Sequence, residues 1–228
     1  MRLLVLCLIF ASASLAAETY VNTQLHRDFD REVFTSTTEI WSGDKLGSTF
    51  FFADLDFAST GNTQSYFEIS RHFVLTRIRK LGHLNASIQY NDGVTGFDAM
   101  GGKVIPRTFL GGLALTELKR GNATFEVQAL LRQEFASDLG WQLTGVWFVP
   151  IGKSLLEFLG YIDWNSNNYG DQPVSIQTEP QLQYRWRQVA FGTECEISRN
   201  FSGAYTEKDG YETGKWYLHP TLYLRYDF

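Results

Sequence analysis

Between Val174 and Trp186 the chain alternates two kinds of side chain. Ile176, Thr178, Pro180, Leu182, Tyr184 and Trp186 fall on one parity, and Ser175, Gln177, Glu179, Gln181, Gln183 and Arg185 on the other. A period of two places these sets on opposite faces of a β-strand, one apolar and one polar. Residues 47–57 repeat the pattern, with Thr49, Phe51, Ala53, Leu55 and Phe57 against Ser48, Phe50, Phe52, Asp54 and Asp56. Residues 123–132 set Ala123, Phe125, Val127, Ala129 and Leu131 against Thr124, Glu126, Gln128, Leu130 and Arg132. Nowhere after the first residues is there an apolar run near the roughly 18 needed for a spanning helix. The patterning predicts an all-β fold.

Twelve segments of this kind can be marked, at residues 20–29, 32–41, 47–57, 64–73, 84–91, 104–115, 123–132, 139–149, 154–164, 174–186, 189–198 and 216–228. The number is even, and the lengths suit the roughly 9–11 residues of a tilted membrane strand. Connections after even-numbered segments are mostly short, while those after the third, fifth, seventh, ninth and eleventh include longer pieces rich in Gly, Asn and Asp. This is the asymmetry of a closed antiparallel transmembrane barrel with short periplasmic turns and longer external loops. The connection near Asp30 is short for an external loop, and residues 74–83 are long for a turn. Pro106, Pro180 and Pro220 fall inside segments of a barrel that has no free edge, so each is expected at a bulge or a strand end.

The alternative is a soluble exported β-sandwich, whose strands bury apolar faces against each other with the same period. Two features favour the barrel. Aromatics gather near segment ends, at Trp41, Phe57, Trp141, Trp164, Trp186, Trp216 and Tyr226, as interfacial girdles do. The polar faces are also heavily charged, with Glu68, Glu126, Glu157, Glu179, Glu194 and Glu196 beside Arg132, Arg185 and Arg225.

The first residues read as an export signal. Met1-Arg2 is a positive start, residues 3–10 are apolar and residues 11–17 are mostly small, so a secretory signal peptide is expected over residues 1–17, cleaved after Ala16 or Ala17. The barrel is then residues 18–228, and Cys195 is its one cysteine, which excludes an internal disulfide. A net charge of −5 argues against a nucleic-acid partner, since binding to phosphates needs a basic face. The last segment places Trp216, Leu218, Pro220, Leu222, Leu224, Tyr226 and Phe228 on one face. It looks like the terminal strand by which barrel-assembly machinery recognises its clients.

Four stretches carry a family resemblance: Gly47-Ser-Thr-Phe-Phe-Phe-Ala-Asp-Leu-Asp56, Gln142-Leu-Thr-Gly-Val-Trp147, Thr178-Glu-Pro-Gln181 and Gly192-Thr-Glu-Cys-Glu-Ile-Ser-Arg-Asn-Phe201. They resemble the strand motifs of an outer-membrane family related to the Tsx nucleoside-specific channels, and the likeness extends over nearly the whole mature chain. The resemblance implies a monomeric twelve-stranded barrel in the outer membrane that passes nucleosides or similarly small polar solutes.

The candidate pore-lining residues are those on the polar parities: Tyr66, Glu68, Glu126, Arg132, Glu157, Tyr161, Glu179, Arg185, Glu194, Glu196 and Arg225. Two roles fit them. The charges can form ladders that only keep a wet lumen satisfied, or the carboxylates can face Arg132, Arg185 and Arg225 across a mid-strand constriction. In the second case Tyr66, Tyr161, Tyr217 and Tyr223 offer ring faces to a planar solute.

Two other classes stand beside the channel. A barrel hydrolase acting on lipids would place His and Ser together on the outer face, often as H-x-S. None of His26, His72, His83 and His219 has that spacing, and Ser70-x-His72 runs in reverse on the interior parity. No catalytic residue, metal set or cofactor loop is read, and the chain is not expected to be an enzyme. The remaining class is a barrel with a closed lumen that binds partners through its loops. In that class residues 199–215, with Phe201, Tyr205 and Tyr211, serve adhesion or fold inward as a gate.

Overall fold

The computed structural model describes residues 18–58, 61–79, 81–95, 103–166, 174–201, 212 and 214–228. The expected leader and Tyr205 and Tyr211 lie outside them. The strands are β1 (Glu18–Asp28), β2 (Phe34–Asp44), β3 (Gly47–Ala58), β4 (Gly61–Ile78), β5 (Gly82–Thr95), β6 (Lys103–Arg120), β7 (Ala123–Glu134), β8 (Leu139–Pro150), β9 (Leu156–Ser166), β10 (Val174–Thr178), β11 (Gln181–Trp186), β12 (Val189–Arg199) and β13 (Trp216–Asp227). All belong to one antiparallel sheet that closes on itself: β13 pairs with β12 on one side and with β1 on the other. Short β10 and β11 lie end to end between β9 and β12, so they make a single stave and the barrel has twelve. At about 4.8 Å between strands and a tilt near 40°, twelve staves give a backbone diameter of roughly 24 Å.

The partition of side chains is inverted relative to a water-soluble protein. Among the largest fully buried side chains are His219, Gln183, Asn85, Asp28 and Ser87, which face the interior. The outer face carries Leu131 at 60 % exposure, Leu218 at 58 % and Phe191 at 57 %. Soluble proteins rarely expose so continuous an apolar surface, and this one needs lipid as its solvent. Phe51, Phe67, Tyr90 and Phe109 form an outer aromatic row across β3–β6, with successive ring centroids 6.3, 5.9 and 4.8 Å apart. The outer face of β4 also holds Arg71, which is buried. It donates to Asp44 at 2.9 Å beside the β2–β3 turn, where the charges neutralise each other.

The start of β1 at Glu18, the C-terminal Phe228 and the short turns share one end of the barrel. At the β2–β3 turn, the Asp44 carboxylate accepts the N–H groups of Leu46 and Gly47 at 2.7 and 3.0 Å. The stretch 74–83, expected as an overlong turn, instead lengthens β4 and β5, whose connection is only residues 79–81. At the opposite end the lengths differ from the simple alternation. Connections are long between β5 and β6, β9 and β10, and β12 and β13, but short after β1, β3 and β7.

The prolines have separate explanations. Pro106 sits where the β5–β6 register slips between Asn91 and Gly93. Pro180 separates β10 from β11. Pro220 lies inside β13 in continuous register with Cys195 of β12, neither at a bulge nor at a strand end. Its carbonyl accepts from Phe29 N–H, so its ring nitrogen also faces the β1 side, just past the last β1–β13 pair of Asp28 and Thr221. The missing N–H therefore falls where the neighbouring strand has ended.

Candidate functional site

Register and burial place each candidate pore-lining residue on the interior face. Tyr66 and Glu68 come from β4, Glu126 and Arg132 from β7, and Glu157 and Tyr161 from β9. Glu179 lies in the link between β10 and β11, Arg185 on β11, Glu194 and Glu196 on β12, and Arg225 on β13.

They do not form one constriction. Arg185 and Arg225 gather at the turn end, where both donate to Asp227, Arg225 at 2.8 Å, and Arg185 also donates to Glu157 at 2.9 Å. Arg225 further approaches Glu39 at 3.5 Å. The expectation that Arg185, Glu157 and Arg225 stand near mid-strand is therefore corrected: Arg185 is one residue from the end of β11 and Glu157 one from the start of β9. Arg132 is held by Glu134 and Gln142 at 3.1 and 2.9 Å. Arg31, in the β1–β2 connection, reaches back to Asp28 at 2.6 Å and Glu196 at 3.1 Å.

The mid-height carboxylates have a different environment. Tyr66 donates to Glu68 at 2.5 Å, Tyr161 to Glu179 at 2.7 Å, Thr37 to Asp54 at 2.5 Å and Thr144 to Asp163 at 2.5 Å. Among the described residues, no Lys, Arg or His lies within ion-pair distance of Asp54, Glu68, Asp163 or Glu179. Hydroxyl and amide donors, not cations, satisfy this belt.

Side-chain contacts between nearby staves fill two sectors of the inner wall. In one, Tyr223 lies on His26 with centroids 5.0 Å apart and donates to Gln183 at 3.0 Å, while His26 approaches Glu194 at 3.9 Å. Gly192 makes this possible, because a Cβ there would lie 2.6 Å from the Tyr223 ring. In the other, Gln89 of β5 donates to Gln128 of β7 above Gly112, and His72 Nε2 lies 3.3 Å from Glu126. Between these sectors, the inner faces of β2–β4 and of β8–β9 stay partly exposed.

Sequence reasoning placed tyrosines on the inner wall but missed the file of Trp41, Phe50 and Phe52 beside them. Trp41, expected in the membrane girdle, shares the interior parity of Glu39 and contacts Tyr20 at 5.7 Å between centroids. Its register partner is Phe50, which is followed by Phe52 at 6.1 Å and Tyr66 at 5.9 Å. A file of rings thus runs inside the barrel from its turn end to mid-height. The signal was present, since Phe50 and Phe52 fall on the parity of Asp54 and Asp56.

No curated protein matches the sequence. Among solved structures, the NanC porin superposes with a TM-score of 0.55 at 10 % identity, covering 91 % of this chain and 98 % of that one. The KdgM porin in complex with disordered oligogalacturonate gives 0.52 at 9 % identity, covering 92 % and 99 %. At such identities the likeness is one of fold. Membership is carried by the sequence itself: residues 20–228 match the model of the domain of unknown function DUF5020, and the chain belongs to that family.

Proposed function

We propose that this protein is an outer-membrane channel through which small polar solutes diffuse passively, acting as a monomer. The observation that carries the reading is the inside-out partition of a closed barrel, with Leu131, Phe191 and Leu218 outside and Asn85, Gln183 and His219 inside. Lipid selects the first set and an aqueous path the second. The end that bears both termini is periplasmic in this reading, and a leader over residues 1–17 delivers the chain to the envelope. The β13 strand then presents it to the assembly machinery.

The barrel shared with two solved porins supports transport as the role, and a twelve-stave wall lined by long inward side chains limits it to small solutes. The likeness to Tsx-related channels in residues 47–56 and 192–201 makes nucleosides the first solutes to test. Purified protein in a planar bilayer is expected to give discrete conductance steps, and liposomes carrying it are expected to admit nucleosides. A folded barrel that passes neither ions nor nucleosides overturns the reading.

A further inference from the structure

We propose that the inner wall formed by β2–β5 holds a subsite for a planar, positively charged organic group, built from Phe52, Glu68, Asp54 and Asn91. The inference rests on the channel reading for its biological use, but the subsite is defined by contacts of its own.

Phe52 faces the lumen in register with Glu39 of β2 on one side and Glu68 of β4 on the other, so a ring is flanked by two carboxylates. Its ring neighbours are tilted, not stacked, at 43° to Phe50 and 58° to Tyr66, and neither covers its face in parallel. A cation over an aromatic face is attracted by the ring quadrupole, and planar N–H donors match carboxylates in geometry. Glu39 is already engaged by Asn22 at 2.8 Å and by Arg225. Glu68 and Asp54 are not matched by any cation within ion-pair distance among the described residues, and both remain partly exposed to the lumen.

Asn91 is an independent pointer to a ligand. It is 8 % exposed, and its Nδ2 donates to Glu68 at 2.9 Å and to Tyr66 at 3.1 Å, while its Oδ1 has no donor. A buried amide oxygen left unpaired costs free energy until a donor arrives. Carboxylates without cations, a half-buried ring with no parallel neighbour and an unfilled acceptor call for one chemistry, an N–H-rich planar cation such as an amidinium or guanidinium. A metal ion fits less well, because no described group of three His, Cys, Asp or Glu side chains is arranged to hold one.

The wider field has the same sign. Asp163 of β9, on the interior parity, likewise has no cation at ion-pair distance among the described residues, and Arg132 is already bound to Glu134 and Gln142. An acidic oligosaccharide of the kind bound by the KdgM porin would meet like charge at this wall.

The test is calorimetric titration of the folded, detergent-solubilised barrel with benzamidine, its neutral isostere benzamide and the anion benzoate. Benzamidine is expected to bind, benzamide at least tenfold more weakly, and benzoate not at all. Glu68→Gln should weaken benzamidine at least tenfold, and Phe52→Leu serves as the second variant if the first does not fold. Equal affinity for benzamidine and benzamide, or unchanged benzamidine affinity in the folded variants, overturns the subsite. Bilayer conductance separates the two readings: benzamidine binding by a non-conducting barrel upholds the subsite and removes the channel. Conductance with no preference for benzamidine does the reverse.

Discussion

Tyr223 of β13 lies against His26 of β1 inside the barrel, with ring centroids 5.0 Å apart and 27° between the ring planes. The last strand is thereby joined to the first by more than its backbone ladder, and the same ring occludes part of the lumen. Tyr223→Ala should increase single-channel conductance, at a stability cost that includes about 0.5–1.5 kcal/mol for the lost ring pair. Gly192→Val places side-chain carbon where the Tyr223 ring now sits and should lower the folded yield. Unchanged conductance in Tyr223→Ala would mean that the narrowest passage lies elsewhere.

Cys195 shares the outward parity of Val189, Phe191 and Ile197, while Glu194 and Glu196 face inward. A membrane-impermeant thiol reagent should therefore leave Cys195 largely unmodified in intact membranes and label it after denaturation. Rapid labelling of the native protein would indicate a register slip of one residue in β12, which exchanges the faces.

Arg185 bridges Glu157 and Asp227 at the turn end of the lumen. Because the cluster is partly open to solvent, Arg185→Ala should cost only about 1 kcal/mol or less of stability. It should nevertheless shift the reversal potential toward cations by removing a positive charge from the mouth. Glu179→Ala at mid-height should shift it the other way and alter solute uptake. Outward-facing Ile176→Ala is the control expected to change neither.

Phe228 is 75 % exposed, packs edge-on against Tyr226 at 5.1 Å, and donates its N–H to Val21 at the seam between β13 and β1. Phe228→Ala should reduce the amount of heat-modifiable barrel recovered from outer membranes while transcript and export stay constant. Equal recovery of the variant would remove the role assigned to this strand in assembly.

What could be read without a structure was whatever depends on a strand alone. Side chains alternate across a strand whichever partners it has, so Glu179, Gln181, Gln183 and Arg185 could be set on one face and Ile176, Leu182 and Trp186 on the other from spacing alone. Strand ends were less legible, because Val74–Ile78 of β4 extends only by pairing with residues 82–85 of β5. Trp41 was misread because a tryptophan near a strand end suits a lipid interface as well as a pore mouth. Only the parity of its own strand, fixed by pairing with β1 and β3, distinguishes the two.

The contact made by closing the barrel was beyond the sequence altogether. That Tyr223 of β13 stands opposite His26 of β1, its register partner, depends on the stagger accumulated around a closed sheet, whereas Phe52 stands between Glu39 and Glu68 by the registers of two successive hairpins. Stagger is a property of all twelve staves together, set when β13 pairs with β1, and no local pattern encodes it. The sequence by itself thus determined the two faces of the wall, and the register of the paired staves, with the closure of β13 on β1, decided which inward side chains confront one another.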